Sequence, residues 1–228
     1  FYPGATDRFA DYDCDGWVDS DLSLADYSFE SHEPNSGSSA GDVDGDGLDD
    51  FLVGDPANNK AYLILGSSLG SSSEIEWSDA DYIFEGEEYG HNAGQSVSGA
   101  GDVDGDGLDD ILVGAIGADS DGKVYLILGS SLGSNSELNL SDADYSFVSE
   151  EESGSAWSHM TGQSVSSAGD VDGDGLADIL VGAPGYDASS TDTGKAYLIL
   201  GSSLGSSSEI DLSDADYSFV GVDYQDYA

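Results

Sequence analysis

Positive charge is nearly missing from this chain. Arg8, Lys60, Lys123 and Lys195 are its four basic residues, against 47 acidic ones and a formal net charge of -43 over 228 residues. Such a field repels nucleic-acid phosphates and anionic lipid, so neither is an expected partner. Cysteine is scarce too: Cys14 stands alone, which excludes an internal disulfide framework. No apolar run approaches the ~18 residues that a membrane span needs, and no window carries helical periodicity of useful length. Histidine is limited to His32, His91 and His159. With no Ser/His/Asp spacing and no glycine-rich phosphate loop beside them, the reading is that the chain is not an enzyme. Apolar residues still make up 38% of the sequence, enough to build a core. The chain starts at Phe1 without Met or a signal peptide, which reads as a processed mature protein or a piece of a longer one.

Against these absences stands a nine-residue acidic pattern, D-x-D-x-D-G-x-x-D. It occurs as Asp42-Val-Asp-Gly-Asp-Gly-Leu-Asp-Asp50, again from Asp102 to Asp110 and from Asp170 to Asp178, and in altered form as Asp11-Tyr-Asp-Cys-Asp-Gly-Trp-Val-Asp19. Carboxylates at positions 1, 3, 5 and 9, with a backbone carbonyl at 7, meet at one point only if the chain turns sharply at position 6. Each copy has glycine there, at Gly16, Gly47, Gly107 and Gly175. An all-oxygen anionic cage suits Ca2+, whereas Mg2+ prefers to keep its waters and zinc asks for His or Cys.

The expected ligands are therefore Asp42, Asp44, Asp46, Leu48 and Asp50 in the first loop; Asp102, Asp104, Asp106, Leu108 and Asp110 in the second; and Asp170, Asp172, Asp174, Leu176 and Asp178 in the third. Asp11, Asp13, Asp15, Trp17 and Asp19 form the amino-terminal set. Position 8 changes from Asp49 and Asp109 to Ala177 while position 9 stays Asp, so position 8 reads as a solvated neighbour. Position 12 is Val53, Val113 or Val181 in place of the glutamate that closes an EF-hand, so each loop runs straight into an apolar segment.

The loops sit inside a larger repeat. Leu22-Ser-Leu-Ala-Asp-Tyr-Ser-Phe29 returns as Trp77 to Phe84, Leu140 to Phe147 and Leu212 to Phe219, and a Lys-x-Tyr-Leu-Ile-Leu-Gly segment starts at Lys60, Lys123 and Lys195. The third unit divides into four strands, Gln163 to Ala168, Asp178 to Ala183, Lys195 to Gly201 and Asp216 to Gly221. Ile179-Leu-Val181 should be buried on both faces, and Tyr217 and Phe219 should line a half-buried outer strand. The Gly-Ser-Ser-Leu-Gly tracts read as flexible turns, and the pairs Asp79/Asp81, Asp142/Asp144 and Asp214/Asp216 as solvated turns.

The stretch from Gly162 through the third loop to Gly182-Ala-Pro184 resembles the FG-GAP repeat of integrin alpha-subunit propellers and related bacterial and archaeal surface proteins. Gly94 to Ile116 matches nearly as well, and Gly54-Asp-Pro56 marks the most degenerate copy. Asp11 to Asp19 resembles the D-x-D-C-D-G-x-x-D motif of some bacterial secreted proteins. The resemblance implies an all-β chain of tandem four-stranded antiparallel blades, propeller-like or an open array, with calcium at one face of each. The expected division is a calcium-binding arm over 1–21 and three blades over 22–84, 85–147 and 148–221, followed by a short tail.

Three units leave two raw ends, and the copy at Leu22 to Phe29 completes a blade whose other strands are missing. Self-association by strand addition or blade stacking is therefore expected. The expected function is a calcium-binding extracellular or cell-surface structural or adhesive repeat protein, possible as a fibre subunit. The alternative is a non-catalytic module of a larger adhesin or secreted enzyme, binding an extracellular protein or glycan through loops 85–93 and 149–161, with Tyr89 and Trp157 as contact residues. His91 and His159 occupy equivalent places and read as loop packing.

Overall fold

The computed structural model describes residues 28–29, 35–70, 74–150, 159–186 and 193–221. The amino-terminal loop Asp11 to Asp19, most of the copy at Leu22 to Phe29, His32 and Trp157 lie outside them. The described residues are all-β, with short 3-10 turns and no α-helix. No helix among them is long and apolar enough to cross a membrane.

Among the described residues, three large sheets follow one another along the chain, besides a two-stranded one. The first contains β2 (Ser36–Gly41), β3 (Asp50–Asp55), β4 (Lys60–Ile64) and β6 (Tyr82–Glu85) as an antiparallel meander. The second repeats it with β7 (Ala93–Gly101), β8 (Asp110–Ala115), β9 (Lys123–Ile127) and β11 (Tyr145–Val148). The third uses β12 (Ser164–Gly169), β13 (Asp178–Ala183), β14 (Lys195–Ile199) and β16 (Tyr217–Val220). Each metal-type loop is the link between the first and second strands of its sheet, so the four expected strands of the third unit are present within a residue or two at their ends.

A fifth strand was not expected. After each Gly-Ser-Ser turn the chain runs as a short strand that pairs in parallel with the outer strand of the preceding unit. β10 (Glu137–Asn139) joins β6 with Leu138 opposite Phe84, and β15 (Glu209–Asp211) joins β11 with Ile210 opposite Phe147. In the same relation, β5 (Glu74–Ile75) pairs with β1 (Ser28–Phe29), Ile75 opposite Phe29. The two described residues of the first copy are thus already paired within the chain.

The sheets stack face to face. β7 lies against both β2 and β12, and the second sheet is sandwiched: all six residues of β8 are buried, with Ile111, Leu112 and Val113 closed off on both faces. Phe84, Tyr125 and Phe147 fill the gaps between layers and are fully buried, each contributing about 2 to 3 kcal/mol by removal from water. Close approach also fixes glycine at the contact. The Ser36 hydroxyl donates to the Gly94 carbonyl and the Ser96 hydroxyl to that of Gly162. A Cβ on Gly114 would lie 2.2 Å from the latter oxygen.

The third sheet differs because, among the described residues, no further sheet covers its outer face. Ile179 and Val181 are buried but Leu180 is open, and every residue of β16 is exposed. Phe219 is 57% exposed where its counterparts Phe84 and Phe147 are at 0%. The half-buried outer strand expected there requires a neighbouring layer.

Candidate metal centres

Each loop turns where glycine was expected, with φ of +89° at Gly47, +93° at Gly107 and +96° at Gly175, a region costly for other residues. The turn is wrapped around the position 1 carboxylate. Asp42 accepts the amide hydrogen of Gly47 at 2.9 Å, Asp102 that of Gly107 and Asp170 that of Gly175. Position 3 accepts from position 5, as Asp44 from the Asp46 amide, and position 5 accepts from position 7, as Asp46 from the Leu48 amide. These bonds hold the carboxylates on the inside of the turn.

Position 9 anchors the loop to the sheet. Asp50 accepts from the Val43 amide with one oxygen and from the Gly66 amide with the other; Asp110 does the same with Val103 and Gly129, and Asp178 with Val171 and Gly201. All three are buried. One side chain therefore ties the loop start to the turn after the third strand.

The outcome is three groups of converging carboxylates: Asp42, Asp44 and Asp50; Asp102, Asp104 and Asp110; Asp170, Asp172 and Asp178. Within each group one oxygen per residue lies within 4.8 Å of the others. Asp46, Asp106 and Asp174 stand outside these groups, each occupied with its position 7 amide. Leu48, Leu108 and Leu176 offer only backbone carbonyls.

The donor set fits a hard cation. Burial pushes the Asp110 carboxyl up to about 7 against the pull of the Val103 and Gly129 amides, and the nearby Asp104 and Asp102 charges add to the rise. A bound cation removes that like-charge cost. Oδ1 of Asp42 is buried without a hydrogen-bond partner, an acceptor aimed where no donor stands.

Position 8 is exposed at Asp49, as the sequence suggested, but in the second and third loops it makes a contact. The Asp109 carboxylate accepts the Asp42 amide hydrogen at 2.8 Å, and the Asp109 amide donates to the Asp42 carbonyl. The Ala177 amide donates likewise to the Asp102 carbonyl at 2.8 Å. At Asp109 and Ala177, position 8 contacts the preceding loop. The serine tracts also differ from expectation: they form 3-10 turns at Gly66–Ser68, Gly129–Ser131 and Gly201–Ser203. Asp81, Asp144 and Asp216 each cap one, accepting the amide of the leucine before it and the hydroxyl of its last serine.

Sequence reading missed a second interblade device. Glu87, beyond the outer strand of the first blade, faces Lys123 at 3.6 Å and accepts the Tyr125 hydroxyl at 2.8 Å in the second. Glu150 pairs with Lys195 and accepts the Tyr197 hydroxyl at 2.6 Å. Lys195 also lies over the Tyr186 and Tyr197 rings. Burial, then the glutamate, pushes both tyrosine hydroxyls well above the ordinary tyrosine range. The repeated Lys-x-Tyr spacing was the available signal; its glutamate partner carried none. His159 is buried, with Nδ1 2.6 Å from the Ser149 hydroxyl, and Tyr89 is 96% exposed on a loop that Asn59 pins through the Gly86 and Glu88 carbonyls.

Residues 42–113 match the family model of an FG-GAP-like repeat and residues 161–199 that of the FG-GAP repeat. The chain is 34% identical to integrin alpha-PS5 of Drosophila melanogaster over 164 residues, 65% of this chain and 15% of that protein. It is 30% identical to integrin alpha-4 of Xenopus laevis over 63% of its length and 14% of the relative's. For integrin alpha-5 of Xenopus laevis the figures are 31%, 73% and 16%. The chain thus spans a small part of these relatives. It carries FG-GAP repeats, and integrin alpha chains are among the proteins to which those repeats are similar.

Proposed function

We propose that the chain is a calcium-stabilised, non-enzymatic module of adhesion type, working outside the cell or at its surface, and that it assembles with copies of itself. The observation that carries the calcium reading is the threefold recurrence of converging carboxylates, one group including a buried acceptor with no donor. In this reading Asp42, Asp44 and Asp50, with Asp46 and the Leu48 carbonyl, hold one Ca2+, and the equivalent residues of the other two loops hold one each. The amino-terminal loop Asp11 to Asp19 holds a fourth as an arm over 1–21, ahead of blades at 22–84, 85–147 and 148–221. Calcium supplies charge neutralisation and cross-links loop to sheet. Similarity to integrin alpha chains supports the adhesive, extracellular setting.

The exposed ring of Tyr89 favours a second element, a ligand surface on loop 85–93 for a protein or glycan. The test of the main reading is metal analysis and calorimetric titration of the chelator-stripped chain. Binding of three or more Ca2+ per chain, with weaker response to Mg2+, is expected. A chain that takes up no Ca2+ at extracellular millimolar concentration, or that shows the same melting curve in EGTA, overturns it.

A further inference from the structure

The contacts between loops are used twice within the chain, and their parts are left over once at each end. Leu108 reaches across so that its Cδ2 lies 2.9 Å from where a Cβ on Gly45 would stand, and Leu176 covers Gly105 in the same way at 3.0 Å. Asp109 fills the space beside Gly41 so tightly that a Cβ there would meet its carboxylate at 2.0 Å; Ala177 fills the space beside Gly101. On the third loop the corresponding sites, Gly169 and Gly173, meet no described residue within 4 Å. On the first loop the corresponding reaching residues, Leu48 and Asp49, are exposed.

The same asymmetry holds on the sheets. Val43 and Val103 are at 0% and 1% exposure beneath the following blade, whereas Val171 is at 52%. Leu180, Tyr217 and Phe219 extend that uncovered apolar surface, a patch soluble proteins do not ordinarily present. At the other end an open groove beside β2 and β3 is lined by Ser36, Gly37, Phe51 and Val53.

We infer that a second copy of this chain stacks head to tail on the third blade, its Leu48 covering Gly173 and its Asp49 carboxylate accepting the Asp170 amide as Asp109 accepts that of Asp42. The occupant is a second copy because at the loops and the sheet face each end presents the half that the other lacks, as in an interface the chain already makes twice, while β5, the counterpart of β10 and β15, keeps its partner β1. The contact is heterologous, so it propagates unless the rotation closes a ring. This inference rests on the self-assembly part of the function proposed above and names its surface.

Sedimentation of the calcium-loaded 228-residue chain tests it, with two blocking variants, Asp49→Arg at one end and Phe219→Glu at the other. The parent chain should gain mass with concentration, and each variant alone should stay at 23.5 kDa. An equimolar mixture of the two, which leaves one intact end of each kind, should run at twice that mass and stop there. Mixing restores association only if both variants fold, so misfolding cannot imitate the expected result. A monomeric parent chain, or assembly undiminished in either variant, overturns the inference, the first pointing to a different occupant. Calcium content is measured on the same samples: a fully loaded monomer removes the stacking and leaves the calcium reading standing, and an assembling chain without calcium does the reverse.

Discussion

The Asp109 carboxylate accepts the amide hydrogen of Asp42, 67 residues earlier, so a side chain in one acidic loop completes the backbone of another. Like-charged loops are therefore held edge to edge by directed hydrogen bonds, and the backbone one persists where position 8 becomes Ala177.

Asp109→Ala should accordingly leave calcium stoichiometry unchanged while lowering stability by about 1 kcal/mol, the usual worth of one part-buried hydrogen bond. Denaturant unfolding paired with metal analysis checks both halves. A lost calcium would return position 8 to the ligand set.

Positions 5 and 9 should separate in the metal-free protein. Asp174→Ala removes a carboxylate that caps only the Leu176 amide, whereas Asp178→Ala strips the acceptor from the amides of both Val171 and Gly201. Both variants should lose one calcium, but in EGTA the second should be less stable than the first by about 2 kcal/mol, since buried amides without an acceptor each cost about 1 to 3 kcal/mol. Equal melting curves for the two in EGTA would contradict the anchoring role of position 9.

Chelation should act on all loops at once. At free calcium about 100 times its dissociation constant, each site adds about 2.7 kcal/mol. Removing three should lower the melting temperature by about 20 °C for a chain of this size. Calorimetry with and without EGTA measures it.

The glutamate straps set an alkaline limit. The Tyr125 and Tyr197 hydroxyls are raised in the folded state, so their stabilising share is complete below the unfolded value of 10.0 and is lost as pH climbs above it. Stability should fall beyond pH 10, and Tyr197→Phe should flatten that fall. Glu150→Ala leaves Lys195 buried without its carboxylate and should cost about 3 kcal/mol at neutral pH.

What the sequence disclosed was whatever repeats locally. The loops, their position 6 glycines and the four strands of each unit obey short periods that one window displays. β10 could not be found that way: Glu137–Asn139 is three residues long, and its partner β6 lies some fifty residues earlier. Glu87 and Glu150 were invisible for another reason, being two among 47 acids, and only packing tells them from the rest. The caps Asp81, Asp144 and Asp216 had a signal in their recurrence, but two acids in a serine-rich tract look the same whether or not a turn closes on them. Phe219 was misjudged because its environment depends on a layer that its own segment does not encode.

The parallel pairing of β10 with β6, and of β15 with β11, offsets the covalent period from the folded one. A cut made at the boundary of a sequence unit passes through a sheet, taking the outermost strand from one layer and leaving another with a bare edge. Duplication of any stretch one period long, whatever its starting residue, nevertheless inserts a whole layer, because the missing piece of each copy is carried by the next. Gene arrays built this way can lengthen or shorten in any frame of the period without a dedicated junction, and only the extremities need separate provision.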